Sequence, residues 1–319
     1  DDDACDDAGS GTSAAPFCQI QAALDDGSAE LIAVRDSGSA YAPIDFDSGG
    51  TATVVAVEPA LPNVAIKQTA IGEETVRCVS ESTLTLIDLG VTGSRPPDVT
   101  TSGDGIFASN CNLTLIRVNV SGNGGAGISA TGGTVTLTDV NVSGNGDAGL
   151  VASAGADLTV RRSRFQENDD GGLQLENSLF VVENSLIGGR GSEANSGGPG
   201  VSIENPSAGS RFDYNTVLNN EAPTGASGAA GIDCNSSFEV RNSIVFGNSG
   251  ASGMDVRNCD VSTSSVGVDP MLSDGLHLTA ASTCCVDQGT DTDVPADDID
   301  GDDRPCGEGT DIGADEFCP

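Results

Sequence analysis

Apolar residues along this chain fall into short alternating runs that return at a nearly constant interval. In "NLTLIRVNVSGNGGAGIS", from Asn112, the apolar positions Leu113, Leu115, Val118, Val120 and Ile128 are separated by polar or small residues, and "TVTLTDVNVSGNGDAGLV", from Thr134, repeats the phrase. The second apolar residue of each copy, Leu115, Leu137, Val160 and Val182, recurs after 22, 23 and 22 residues, with weaker copies at Ile66, Leu86, Tyr214, Val240 and Val261. A Gly followed by an apolar residue keeps step, as at Gly105-Ile106, Gly127-Ile128, Gly149-Leu150, Gly172-Leu173, Gly200-Val201 and Gly231-Ile232. Alternation at period two belongs to strands, and self-similarity at this interval belongs to a solenoid. Two or three short strands and their turns leave no room for a helix in each repeat, and the Leu and Asn pattern of a leucine-rich repeat is absent. The pattern predicts a coil of short parallel strands, with Leu113, Leu115, Val118, Val120, Leu137, Val140, Val142, Val160, Phe165, Val182 and Ile187 pointing inward.

Asn123, Asn145, Asn168 and Asn248 each lie eight residues after their anchor. Stacked at one turn, such amides bond to one another along the axis, and Asn tolerates left-handed turn backbone. A ladder of this kind is a structural device rather than a ligand set. About nine coils at a strand spacing of roughly 4.8 Å give a rod of about 40 Å.

At this point the chain resembles the right-handed parallel β-helix proteins of the pectin-lyase-like superfamily, of the secreted bacterial type with a variable C-terminal anchor. "APFCQIQAALDD" (15–26) is similar to the helix that plugs the first coil, with Phe17, Ile20 and Leu24 on one face, and "ELIAVRDSGSAY" (30–41) to the opening strand and turn. "VDPML" (268–272), "CVDQG" (285–289), "DIDGDDRP" (298–305) and "DIGADEF" (311–317) resemble the family's closing segment. The expected architecture is all-β, a single solenoid in one structural domain. It comprises a tail and cap helix over 1–28, the β-helix over 29–266 and a disulfide-stapled closing segment over 267–319.

Composition adds a compartment and removes some partners. Ten cysteines, an even number, point to an oxidising environment. Cys78 and Cys111, like Cys234 and Cys259, lie about one coil apart, within disulfide reach if stacked. Cys5 is placed to tie the tail to Cys18 or to leave it for a neighbouring subunit, and Cys284, Cys285, Cys306 and Cys318 remain to staple the closing segment. There is no CxxC pair to suggest a metal cluster. A formal charge of -35 repels nucleic acid and anionic membrane, and suits salt water or divalent cations. No apolar segment is long enough to span a bilayer, and the start "DDDACDD" leads to the expectation that a secretion signal has been removed.

Candidate chemistry is sparse. The resemblance implies that a lyase would use a basic residue beside a uronate, with calcium held by carboxylates. Lys67 lies near the N-terminal end, and no Arg and Asp positions recur at one strand position to form a groove. Arg161, Arg162 and Arg164, read as one strand around an inward Ser163, are the nearest approach. A hydrolase needs two carboxylates at a fixed separation; Asp169 with Asp170, and Glu183 with Glu204, are the pairs available, without Trp platforms and with only Tyr41 and Tyr214. His277, between Leu276 and Leu278, is expected to be an outward surface residue. Asp298, Asp300 and Asp302 offer oxygen ligands at alternate positions around Gly301, which suits calcium, although the spacing departs from an EF-hand and the turn also lets an Asp pair with Arg304. The longest repeats extend one turn, at Leu86, Val182 and Tyr214, which marks an edge for contacts. The resulting expectation is a secreted structural or adhesive β-helix of a bacterial cell surface or extracellular assembly, without catalytic or cofactor-binding residues, contacting its own copies or another surface protein. The alternatives are a polysaccharide lyase or glycoside hydrolase, and a calcium-dependent carbohydrate-binding module.

Overall fold

A computed structural model describes residues 5–13, 15–36, 38–57, 64–93, 103–190, 198–222, 228–250 and 253–318. Its strands form three parallel sheets of nine strands each, visited in rotation. Sheet 1 runs from Leu31–Val34 through Asn112–Ile116 and Thr134–Thr138 to Val240–Arg241. Sheet 2 runs from Ala65–Lys67 through Asn119–Ser121 to Ser265–Val266, and sheet 3 from Ile44–Phe46 through Ile128–Thr131 to Val256–Arg257. This is an all-β parallel β-helix, and each of the eleven residues expected to point inward is at most 1% exposed.

Sheet register corrects two of the repeat anchors. Val182 pairs with Phe212, and Phe212 with Val240, so Phe212 holds the anchor row and Tyr214 lies two residues beyond it. Ile66 pairs with Val91 in sheet 2, while the anchor row passes through Val54 and Leu86. Both shifts arise because an aromatic or aliphatic residue at a corner or in the next sheet has the same hydropathy as one in the anchor strand.

From the strand Thr83–Ile87 onward, the corner from sheet 1 to sheet 2 is two residues long. Its first residue is left-handed at Arg117, Asp139, Arg162, Asn184, Tyr214 and Asn242, with φ of 51, 57, 46, 49, 54 and 46°. Such backbone is costly outside Gly, and the repeat tolerates it because it reverses the chain while the second corner residue turns inward. Arg162 therefore ends one strand rather than continuing it, so Arg161, Arg162 and Arg164 project from two sheets and the corner between them. The inward corner residue changes from Val118 and Val140 to Ser163, Ser185, Asn215 and Ser243, all fully buried or nearly so. These polar residues form a ladder: the N–H groups of Ser163, Ser185, Asn215 and Ser243 donate to Ser185 Oγ (3.2 Å), Asn215 Oδ1 (3.0 Å), Ser243 Oγ (3.1 Å) and Ser264 Oγ (3.1 Å).

The expected Asn ladder lies at the turn from sheet 2 to sheet 3. Asn123 Nδ2 donates to Asn145 Oδ1 (2.9 Å), and Asn145 Nδ2 to Asn168 Oδ1 (2.8 Å). The ladder is interrupted where Arg190 pairs with Asn168, and resumes as Asn220 Nδ2 donates to Asn248 Oδ1 (2.9 Å). The recurring Gly is its steric complement. A Cβ at Gly127 or Gly149 would lie 2.8 Å from the amide nitrogen of Asn145 or Asn168, closer than such contacts occur.

At the N-terminal end, helix α1 (Ile20–Asp26) buries Ile20 and Leu24 over the first coil. It starts three residues after Phe17, because the Cys5–Cys18 bridge and the extended backbone of Gln19 precede it. Gln21 exchanges two hydrogen bonds with the backbone of Asp45 (2.8 and 3.0 Å), occupying groups that an edge strand would leave open. Asp7 Oδ1 accepts from Cys18 N and Gln19 N (2.8 and 3.0 Å), so the described part of the tail folds onto its own cap and needs no neighbouring subunit to hold it.

The closing segment packs sideways against sheet 2. Leu186, Leu218 and Ile244 on the outer face form a second core with Leu276, Leu278, Ile299, Ile312 and Ala314. All ten cysteines are paired, as Cys5–Cys18, Cys78–Cys111, Cys234–Cys259, Cys284–Cys285 and Cys306–Cys318. No helix among the described residues is long and apolar enough to cross a membrane.

Candidate functional site

The outer face of sheet 1 is assembled by register alone. Thr53, Thr85, Thr114, Thr136 and Thr159 are paired neighbours across five successive coils. Beside them run Thr51, Thr83, Asn112 and Thr134, ending at Asp157. β-Branched Thr suits a pleated, half-buried surface, and its hydroxyl faces outward because the alternate position is committed to the core. These rows carry no charge before Asp157.

Toward the C-terminal end the face becomes ionic. Arg161, Glu183, Asp213 and Arg241 occupy one row, each directly after its anchor residue. This overturns the expectation that Arg and acidic residues do not share a strand position. The signal was in the sequence, one residue after Val160, Val182 and Val240, but anchoring the intervening repeat on Tyr214 hid Asp213. Glu183 Oε1 accepts from Arg161 (2.8 Å) and Oε2 from Arg211 (3.1 Å). Asp213 accepts from Arg241 through both oxygens (2.9 and 2.6 Å) and lies 3.3 Å from Arg211. Asp293, from the closing segment, approaches Arg241 at 3.2 Å and Arg211 at 3.7 Å. The hydrogen bonds that Arg241 donates to Asp213 push its guanidinium pKa above the ordinary value. Beside these groups is a cleft of about 490 Å³ lined by Ser207, Ser210, Arg211, Phe238, Arg241 and Asp293. Glu183 and Asp213 are almost fully buried, and every one of their oxygens is engaged by a guanidinium. The arrangement is a charge-balanced clasp, since three Arg face three carboxylates.

The other sequence-predicted carboxylates do not converge. Glu183 faces out from sheet 1, whereas Glu204 ends a strand of sheet 3 beside Glu176. Asp169 is buried, while its neighbour Asp170 turns toward Asp147 and Gln174. Asp170 belongs to an acidic series at the turn from sheet 2 to sheet 3 that also includes Glu74, Asp104 and Asp147. Burial first, then the charges of Asp147 and Glu74, push Asp104 up to about 6, against backbone hydrogen bonding that lowers it. The three long connections, 93–105, 191–200 and 219–231, all leave from this same turn, as expected; their centres, 94–102, 191–197 and 223–227, lie outside the described residues.

The proposed calcium ligands are also separated in role. Asp298 is fully buried; its Oδ1 accepts from Asp300 N and Asp302 N (both 2.9 Å) and its Oδ2 from Glu316 N (3.0 Å). Asp302 is exposed, and Asp300 turns toward His277. Among the described residues Asp298, Asp300 and Asp302 therefore do not group at one point; amides of the turn take Oδ1 of Asp298, and the amide of Glu316 takes its Oδ2. Arg304 does not pair with this Asp either. It is buried against Glu316 (3.1 Å), donates to the carbonyls of Asp311 (3.2 Å) and Gly313 (2.8 Å), and lies 5.1 Å from the Tyr214 ring. His277 faces outward as expected, but from irregular backbone and in contact with two carboxylates.

Residues 104–278, more than half of the chain, match the family described as the right handed beta helix region. No curated protein and no solved structure matches the chain.

Proposed function

The chain belongs to the right-handed β-helix family, and on that premise we propose that it works by contact rather than by catalysis, as a secreted structural or adhesive solenoid at a cell surface or in an extracellular assembly. The observation that carries this reading is the outer face of sheet 1. Thr is aligned over five coils, and over the first four, before Asp157 and Arg161, it makes a rigid, uncharged surface on a protein whose overall charge is -35. A partner meets hydroxyl and methyl groups there without the desolvation cost that carboxylates would impose. Five disulfides support an oxidising environment. Because the tail is held by its own cap, a partner surface is favoured over association of copies.

The test is retention on intact bacterial cells of the native protein and of a Thr114→Lys/Thr136→Lys double variant, with folding checked by circular dichroism. Loss of retention in the folded variant supports the reading, and equal retention overturns it. The carbohydrate-active alternative draws on one observation, the cleft beside Arg211 and Arg241. It requires that cleft to bind a sugar acid through groups already engaged with Asp213, Glu183 and Asp293.

A further inference from the structure

Three stretches of the closing segment meet at one point on its surface. His277 Nε2 lies 2.8 Å from Asp300 Oδ2, and His277 Nδ1 lies 2.7 Å from Asp274 Oδ2. Asp274 is fixed in turn, because its other oxygen accepts from the N–H groups of Leu276 (3.1 Å) and His277 (3.0 Å). Asp315, only 6% exposed, accepts from Leu278 N (2.6 Å), which anchors it beneath the imidazole. One ligand atom from each of His277, Asp300 and Asp315 lies within 4.8 Å of the other two.

The geometry points to a divalent transition-metal site, of the zinc class, formed by His277 Nε2 with one oxygen each from Asp300 and Asp315. Imidazole and carboxylate together suit zinc, whereas calcium takes oxygen ligands alone. Asp274 is the positioning residue. A carboxylate on the second ring nitrogen fixes the tautomer that leaves Nε2 free to ligate, the usual outer-shell arrangement of a metal-bound His.

Charge supports the assignment independently of distance. Asp274, Asp300 and Asp315 bring three negative charges to the cluster, against one permanent positive charge from Arg164, 3.3 Å from Asp300. With a neutral imidazole the deficit is two charges, which a divalent ion supplies.

The role that follows is structural. Residues 274–278, 298–302 and 311–316 contain no helix or extended strand, and one ion would join all three over the second core. The competing arrangement is a protonated His277 bridging Asp274 and Asp300 with no metal.

The full chain, dialysed against EDTA and then against metal-free buffer, is titrated with zinc chloride by calorimetry and with cobalt(II) by visible absorption. One zinc per chain, a raised Tm and a cobalt spectrum with nitrogen ligation are expected, with no comparable response to calcium. His277→Ala and Asp300→Asn, both solvent-facing changes, should abolish binding, and Asp274→Asn should weaken it by roughly 10–100-fold. Failure of the native protein to bind zinc, unchanged binding in His277→Ala or Asp300→Asn, or a calcium response in place of zinc would each overturn the assignment. If His277→Ala does not fold, the cobalt spectrum of Asp300→Asn decides.

Discussion

Replacing Asn145 by Ala should be among the most damaging single changes in the solenoid, although it removes no apolar contact. The Asn145 side chain is completely buried. Its Oδ1 accepts from both the backbone N (3.1 Å) and the Nδ2 (2.9 Å) of Asn123, and its Nδ2 donates to Asn168 Oδ1 (2.8 Å) and Val120 O (3.3 Å). Truncation leaves two buried donors on Asn123 without partners, at about 1–3 kcal/mol each, whereas Asn168 Oδ1 keeps the bond from the backbone N of residue 145 (3.2 Å). A water admitted to the vacated space would recover part of this, so a net loss of about 2–4 kcal/mol is expected. Asn123→Ala removes the end of this ladder segment but leaves Asn145 Oδ1 its bond from the backbone N of residue 123, so that the losses are one of two bonds to that oxygen and the one from Thr75 Oγ1 (3.3 Å), which should cost about 1–2 kcal/mol. Asn112→Ala, on an exposed position, should fall within about 0.5 kcal/mol of the parent. Equilibrium urea unfolding measures all three, and hydrogen exchange of amides 120–128 and 142–150 shows whether the loss is confined to neighbouring coils, as nearest-neighbour stacking requires. An Asn145→Ala loss below about 1 kcal/mol, or one equal to that of Asn123→Ala, would refute the reasoning.

Asp104 gives a pH prediction. Its folded pKa of about 6 lies above the 3.8 of an unperturbed Asp, so its contribution is fully present below about 3.8 and is lost as pH rises through about 6. Two units correspond to roughly 3 kcal/mol, reduced to about 1–2 kcal/mol by partial solvent screening. Asp104→Asn keeps an oxygen to accept from Ala126 N, and should be more stable than the parent at pH 7.5 and equal to it near pH 3.5 by thermal denaturation in EDTA. Removing one partner of the buried Arg304–Glu316 pair, as in Glu316→Ala, leaves an uncompensated guanidinium and three unbonded donors. A loss of about 3–5 kcal/mol is expected, read as early release of the closing segment in limited proteolysis. Alkylation of the unreduced protein, followed by mass spectrometry, should label none of the ten cysteines.

What the sequence made legible was whatever the repeat encodes. Core rows such as Leu113, Leu137 and Val160, the amide ladder at Asn123, Asn145 and Asn168, and the two disulfides between stacked coils, Cys78–Cys111 and Cys234–Cys259, all follow from one interval. What it concealed lies where the interval is broken or where contacts join remote segments. The ionic row at Arg161, Glu183, Asp213 and Arg241 was obscured because long turns separate its members by 22, 30 and 28 residues and Tyr214 mimics an anchor. The Ser and Asn corner ladder replaces Val with polar residues of no distinctive pattern. The docking of Leu276, Leu278 and Ile312 on Leu186, Leu218 and Ile244 joins segments 32–126 residues apart, and no local periodicity reports it. The partners of Arg304 and His277 depend on that docking. For this reason Asp300 meets Asp315 and His277 rather than its neighbours in "DIDGDD".

The central functional claim is contact without cleavage, and one incubation tests it most directly. Native protein is mixed with isolated envelope polysaccharide, and both the bound protein and the reducing ends released to solution are measured over time. The account predicts saturable binding that depends on Thr114 and Thr136, with reducing ends remaining at the level of a protein-free control. Sustained release of reducing ends that is abolished by Arg211→Ala would contradict it and place chemistry in the cleft beside Arg241.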